Sequence, residues 1–253
     1  MSHAHLLSLA YIQAPMTQLV LLPGLATDAA LWKAQLAVLP ADWLPAVSDV
    51  HTREATITAM AVRLLNEHPG PLVLCGASMG GMIAMEAARL APQRMQGLAL
   101  LGTTARPETP EMRAVREAAI ELFAKGRLRE VLEANVPLAF APRHAGSTAL
   151  VEAYIAMIER AGAGQLIAQN RAVITRPDAR GHLGSLACPL LAVCGAHDQL
   201  TPPELSREIA ALAPNAELVE LPDCGHMITM EQPDALNARL LDWLGRLRRG
   251  SGA

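Results

Sequence analysis

The chain has 253 residues, 51% of them hydrophobic, which is enough to bury a large core within one α/β domain. Its 21 Lys and Arg against 24 Asp and Glu leave no basic face, so a nucleic-acid partner is not expected. Arg246, Arg248 and Arg249 read as the solvated end of a last helix, where cations suit the dipole. Cys75, Cys188, Cys194 and Cys224 have neither C-x-x-C nor zinc spacing and read as reduced core thiols of a cytoplasmic protein. Residues 1–15 hold two histidines and a short apolar stretch, without a basic leader region or a run of membrane-spanning length. Neither export nor membrane insertion is expected; these residues read as an extension outside the minimal fold, or 6–12 add an edge strand.

Short apolar runs follow at 19–22, 44–47, 72–75, 98–101, 190–194 and 218–221. Segments of helical period lie among them at 57–67, 82–91, 203–212 and 235–247, the third opening on Thr-Pro-Pro as a helix start should. This alternation predicts an α/β fold, a mostly parallel sheet of about six to eight strands with helices on both faces. Between residues 106 and 182 the alternation stops. Helical patterns at 111–125, 127–134, 148–160 and 165–174 have no strand among them. They predict a helical cap over the carboxyl edge of the sheet, inserted before the strand that leads to the candidate acid. Open α/β sheets bind ligands at that edge.

Directly after the run 72–75 stands Gly76-Ala77-Ser78-Met79-Gly80-Gly81, a G-x-S-x-G pattern between a strand and a helix. The glycines let strand and helix approach closely, and the sharp turn holds Ser78 in strained geometry above the sheet. Ser78 is the candidate nucleophile. The Met79 amide, at the start of the helix, is a candidate donor to a tetrahedral oxyanion.

A serine hydroxyl needs a base, and the base needs an orienting carboxylate. Of eight histidines, His226 follows the strand 218–221 in Pro-Asp-Cys-Gly-His and reaches the same sheet edge as Ser78. His3, His5, His51, His68, His144 and His182 read as solvated, and His197 as a loop neighbour of Asp198. Asp198 follows the strand 190–194 in Gly-Ala-His-Asp and is the candidate acid. Gly102-Thr103-Thr104 after the strand 98–101 offers no acidic rival. Asp223, close to His226, reads as a turn residue. The second oxyanion donor is assigned to the amide of Leu25, in the turn Pro23-Gly24-Leu25-Ala26-Thr27-Asp28. Trp32, just beyond, reads as a core residue.

These three motifs, in the order Ser, Asp, His, resemble those of the α/β-hydrolase superfamily in its small single-domain branch of esterases, enol-lactonases, C-C hydrolases and cofactor-free haloperoxidases. The likeness runs from about Thr17 to Leu247. It includes the acid segment from Pro189 to Pro203 and the histidine segment from Leu221 to Pro233. Two features depart from the pattern: Pro23 stands where most relatives have the histidine of a His-Gly pair, and few residues precede Leu19 where relatives have a hairpin. Serine at the elbow speaks against haloalkane dehalogenases and epoxide hydrolases, which carry a carboxylate there.

The resemblance implies a hydrolase of small carboxylic esters acting through an acyl-enzyme, with no metal or organic cofactor. The same residues would serve enol-lactone or C-C bond hydrolysis, and a ligand-binding receptor with a vestigial triad is the reading from another class. The cap is expected to leave a largely apolar pocket for a small-molecule ester, lined by Leu138 and Phe140.

Overall fold

A computed structural model describes residues 16–250. The expectations for residues 1–15 therefore lie outside the described residues.

Among the described residues, six parallel strands form one sheet: β1 (Gln18–Leu22), β2 (Ala46–Val47), β3 (Leu72–Ala77), β4 (Met95–Leu101), β5 (Leu190–Gly195) and β6 (Ala216–Leu221). Their spatial order is β2-β1-β3-β4-β5-β6. The chain moves outward from β1 to β2, then returns to build the rest of the sheet on the other side of β1. The winding thus reverses between β1 and β3, which opens a crevice beyond their carboxyl ends. β2 is shorter than the apolar run 44–47 suggests. Leu44 takes φ 48 before Pro45, which lacks the amide a strand would use, and its side chain is exposed.

The apolar runs are nearly continuous because both faces of the sheet are covered. Leu19 and Leu21 of β1, with Val73 and Cys75 of β3, face one core. Val20, Leu22, Leu72 and Leu74 face the other. The first core is closed by Trp32 and by Leu236, Leu240 and Trp243 of the last helix, Pro233–Gly250. Against the second pack α1 (Ile57–Glu67) and α2 (Met79–Leu90) through Ile57, Met60, Leu64 and Ile83. Thr56 caps α1 by accepting the Ala59 amide.

The segment between β4 and β5 is helical, as its pattern requires: α3 (Pro110–Ala124), α4 (Leu128–Ala139) and α5 (Thr148–Ile174). The α5 span is two helical stretches broken at Gly162, where φ is 79. The remaining longer helices are α6 (Pro203–Leu212) and α7, the Pro233–Gly250 helix named above. The arginines at the end of α7 are exposed yet partly paired: Arg246 with Glu217 and Asp242, and Arg248 with Asp42 while lying over the Trp43 ring. Cys75, Cys188, Cys194 and Cys224 are buried free thiols. Burial raises all four, Cys188 and Cys194 to about 11, which keeps them protonated and unreactive at neutral pH. Among the described residues no helix is long and apolar enough to cross a membrane.

Candidate active site

Ser78 sits between β3 and α2 at φ 51, ψ −115, a backbone conformation that costs a non-glycine residue on the order of 1–3 kcal/mol. The surrounding bonds hold it there. Its amide donates to Leu101 O at 2.8 Å, and its carbonyl accepts from Gly81 N at 2.9 Å and Thr103 Oγ1 at 2.7 Å. The flanking glycines are obligatory: a Cβ on Gly76 would lie 2.3 Å from Gly80 O, and one on Gly80 would lie 2.1 Å from Leu22 O. The strand and helix are therefore packed backbone to backbone, which leaves the Ser78 side chain at the edge of the sheet.

Beyond β5, the turn carrying Asp198 buries its carboxylate and surrounds it with donors. Oδ1 accepts the amides of Leu200 at 2.9 Å and Thr201 at 2.8 Å. Oδ2 accepts the Thr201 hydroxyl at 2.8 Å and lies 2.8 Å from His226 Nδ1. Burial alone would raise this carboxyl, but the His226 charge and hydrogen bond, with those of Thr201, outweigh it and hold it below its ordinary value. An ionised carboxylate only accepts, so Nδ1 must carry the proton and Nε2 is left with its lone pair. Burial also acts to lower the His226 imidazole, yet the Asp198 charge and hydrogen bond, aided by Glu231, raise it above its usual value.

Gly102, at the end of β4, lets this pair close over the sheet. It adopts φ 48, and a Cβ there would come within 3.2 Å of Asp198 Oδ2 and 3.3 Å of His226 Nδ1. The absence of an acidic residue after β4 thus has a steric counterpart: the position is filled from β5 and the β6 loop. Asp223 lies away from the imidazole at the surface, at φ 53, with Arg143 and His197 as its neighbours.

Four supports of this site were not legible as such in the sequence. Thr201 braces Asp198 and also lies 3.1 Å from His226 Nδ1. Glu231 is buried beneath the histidine loop, where it accepts the amides of Gly225 at 3.0 Å, Met227 at 3.1 Å and Ala141 at 2.8 Å, with His144 Nδ1 at 3.0 Å. Gln169 of α5 accepts the Ala26 amide at 2.5 Å and donates to His51 O at 2.9 Å. His51 Nε2 in turn bonds Thr27 O at 2.9 Å. The last two residues tie down the turn that carries Leu25. The only sequence signals for Glu231 and Thr201 were their places in the histidine and acid segments; Gln169 and His51 stand in no motif.

The histidines read as solvated are corrected accordingly. His51 is buried, and His68, His144 and His182 are partly buried with partners at Gln18, Glu231 and Met85 O. In each, one ring nitrogen is hydrogen-bonded. His3 and His5 lie outside the described residues.

Leu25, Ser78, Met79, Thr201 and His226 line one cavity of about 650 Å³. The inserted helices supply further wall, through residues such as Met112, Val115, Phe123, Tyr154 and Ile158. Among the described residues, neither the Leu25 nor the Met79 amide has a protein acceptor. Ser78 Oγ and His226 Nε2 share no direct hydrogen bond, a spacing common in such sites before substrate draws them together. Leu138 lines the cavity and is 40% exposed. Phe140 does not. Helix α4 continues through Pro137 to Ala139, and Phe140 then turns inward, fully buried, with its ring edge-to-face on Tyr154 at 5.3 Å. The expectation that Phe140 lines the pocket is corrected: it backs the Tyr154 wall.

The sequence model of the alpha/beta hydrolase family matches residues 19–239, nearly the whole described fold. The chain belongs to the alpha/beta hydrolase family. This hydrolase is 30% identical over 236 residues to a pimeloyl-[acyl-carrier protein] methyl ester esterase of Aromatoleum aromaticum, covering 85% of this chain and 93% of the relative. In structure it is similar to a thermophilic esterase from Thermogutta terrifontis, with TM-score 0.78, 28% identity and coverage of 92% and 91%. The enol-lactonase of Burkholderia xenovorans LB400 superposes with TM-score 0.77 over 92% of each chain at 24% identity, a likeness of fold alone.

Proposed function

We propose that this alpha/beta hydrolase cleaves small carboxylic esters through an acyl-enzyme on Ser78. His226 is the general base, Asp198 orients it, and the Leu25 and Met79 amides form the oxyanion hole. One observation carries the reading: His226 Nδ1 is held by Asp198 at 2.8 Å while the histidine and Ser78 border the same cavity. That arrangement leaves Nε2 as the only imidazole atom able to accept a proton.

His226 Nε2 takes the Ser78 proton as Oγ bonds to the carbonyl carbon. The carbonyl π pair moves to oxygen, where the Leu25 and Met79 amides meet it. The carbon–oxygen bond to the alcohol then breaks, and His226 returns the proton to the departing alkoxide. Water repeats the sequence against the acyl-enzyme, giving its proton to His226, and the acid leaves as Ser78 is reprotonated. A second amide donor matters because removal of one such donor costs on the order of 10² to 10³ in rate. The esterase relatives and the apolar cavity walls support an ester of modest size, and Leu138, which borders the cavity, is assigned a contact with it.

A fluorophosphonate should label the protein at one site, mapped by mass spectrometry to Ser78, and Ser78→Ala should abolish both labelling and turnover of a chromogenic ester. Labelling of another serine, or turnover surviving in Ser78→Ala, would sink the proposal.

A further inference from the structure

One wall of the cavity is charged, and its charges do not balance. Glu108, Arg116, Asn170 and Arg176 all border the cavity where the start of α3 meets the end of α5. The Glu108 carboxylate is shared by two guanidinium groups: Oε2 accepts Arg116 Nε at 2.6 Å and Arg176 Nη1 at 2.8 Å, and Oε1 accepts Arg176 Nη2 at 3.3 Å. Arg176 spends its other donors on the carbonyls of Arg106, Pro107 and Val173. Arg116 Nη1 donates to Asn170 Oδ1 at 3.0 Å. Among the described residues, Arg116 Nη2 has no protein acceptor, and its side chain is 23% exposed. The neighbouring Arg106 is already paired with Glu208.

Two guanidinium groups against one carboxylate leave one positive charge on a largely apolar wall. Buried charges are retained only when paired, and arginine does not escape by losing its proton. Burial pushes the Arg116 guanidinium below its ordinary value in spite of Glu108 beside it, as expected of a charge whose compensation is incomplete.

We infer that Arg116 is the anchor of a carboxylate-binding subsite, so that the favoured ester carries a free carboxylate distal to the scissile bond. The choice of ligand follows from charge and shape. One surplus positive charge is neutralised by one carboxylate, whereas a phosphate monoester, at about −1.5 to −2, would over-neutralise it. The planar guanidinium matches carboxylate geometry, and the apolar lining between Ser78 and Arg116 suits a methylene chain. This inference rests on the ester-hydrolase reading of the cavity.

The test uses the monomethyl esters of straight-chain diacids from butanedioate to nonanedioate, each against its neutral dimethyl ester, followed by proton release. At the best-fitting length, kcat/KM per ester group should favour the monoanion by roughly 10- to 100-fold, the range of one charged hydrogen-bonded contact. In Arg116→Gln that ratio should fall about tenfold or more. Calorimetric titration of the same pairs into Ser78→Ala reads binding without turnover, and it decides the matter from the native arginine should Arg116→Gln fold poorly. Tighter binding of the monoanion with no hydrolysis of either ester by the wild type keeps the subsite and removes the ester reading alone. Equal binding and equal turnover of the two esters at every length, or a preference that Arg116→Gln leaves intact, overturns the subsite alone.

Discussion

The Glu231 carboxylate accepts the amide of Ala141 at 2.8 Å, although the two residues are 90 positions apart. The same carboxylate holds the Gly225 and Met227 amides on either side of His226, so one buried anion fastens the histidine loop to the turn that follows α4 within the inserted segment. Glu231→Gln keeps the shape but turns an NH₂ toward donors. It should lower unfolding free energy by about 1–3 kcal/mol and reduce kcat/KM, with kcat falling more than KM rises. Urea denaturation and steady-state kinetics check this; unchanged stability would remove Glu231 as the fastening.

The roles of Asp198 and Asp223 are separable. Asp198→Asn should fold, favour the wrong imidazole tautomer and lose roughly 10² to 10⁴ in kcat. Asp223→Asn should stay near wild type, because asparagine tolerates the left-handed φ of 53 at this exposed turn. Circular dichroism and one ester assay on both variants suffice. A folded, inactive Asp223→Asn beside an active Asp198→Asn would transfer the acid's role.

Raising the His226 imidazole above 6.5 fixes the sign of a pH effect. In the proposed mechanism the base is the neutral ring, so kcat/KM should rise with pH about a midpoint above 6.5, and Asp198→Asn should move that midpoint down. The stability contribution runs the other way: it is complete below the unfolded histidine value and is lost as pH climbs through the raised one. The lowered Asp198 carboxyl adds a contribution present above 3.8 and lost on acidification below it. A wild-type midpoint below 6.5 would contradict this account.

Strain at Ser78 predicts an inversion of the usual glycine penalty. In ordinary backbone geometry glycine is less stable than alanine by roughly 0.5–1 kcal/mol. At φ 51, ψ −115 the order should reverse, with Ser78→Gly melting at or above Ser78→Ala and both inactive. Thermal unfolding of the two variants side by side is the measurement, and a clearly less stable glycine variant would argue that the turn is not strained.

Leu138 and Phe140, close in sequence, should behave differently. Leu138→Trp intrudes on the cavity and should alter the preference among ester chain lengths with little change in stability. Phe140→Ala removes a buried ring behind Tyr154 and should cost about 3–5 kcal/mol. A chain-length panel and denaturant melts separate the two; matching specificity profiles in wild type and Leu138→Trp would remove Leu138 from the pocket.

The sequence by itself determined the sheet, because strands buried on both faces must be apolar at nearly every position, as at 72–75 and 190–194. It also determined which side chains reach the carboxyl edge: Ser78, Asp198 and His226 each stand within a few residues of a strand end, and G-x-S-x-G has a local steric meaning. What it could not express is contact between distant segments. Glu231 against Ala141, Gln169 against Ala26, and Arg116 sharing Glu108 with Arg176 each pair residues whose types are ordinary in isolation. Phe140 shows the same limit from the other side, since a residue beside Pro137 in an inserted segment faces the cavity or the core according to a helix end that local pattern does not specify. Tertiary structure alone decided these, because burial and hydrogen bonding between remote segments depend on how the inserted helices close over the sheet, and no short stretch of the chain carries that information.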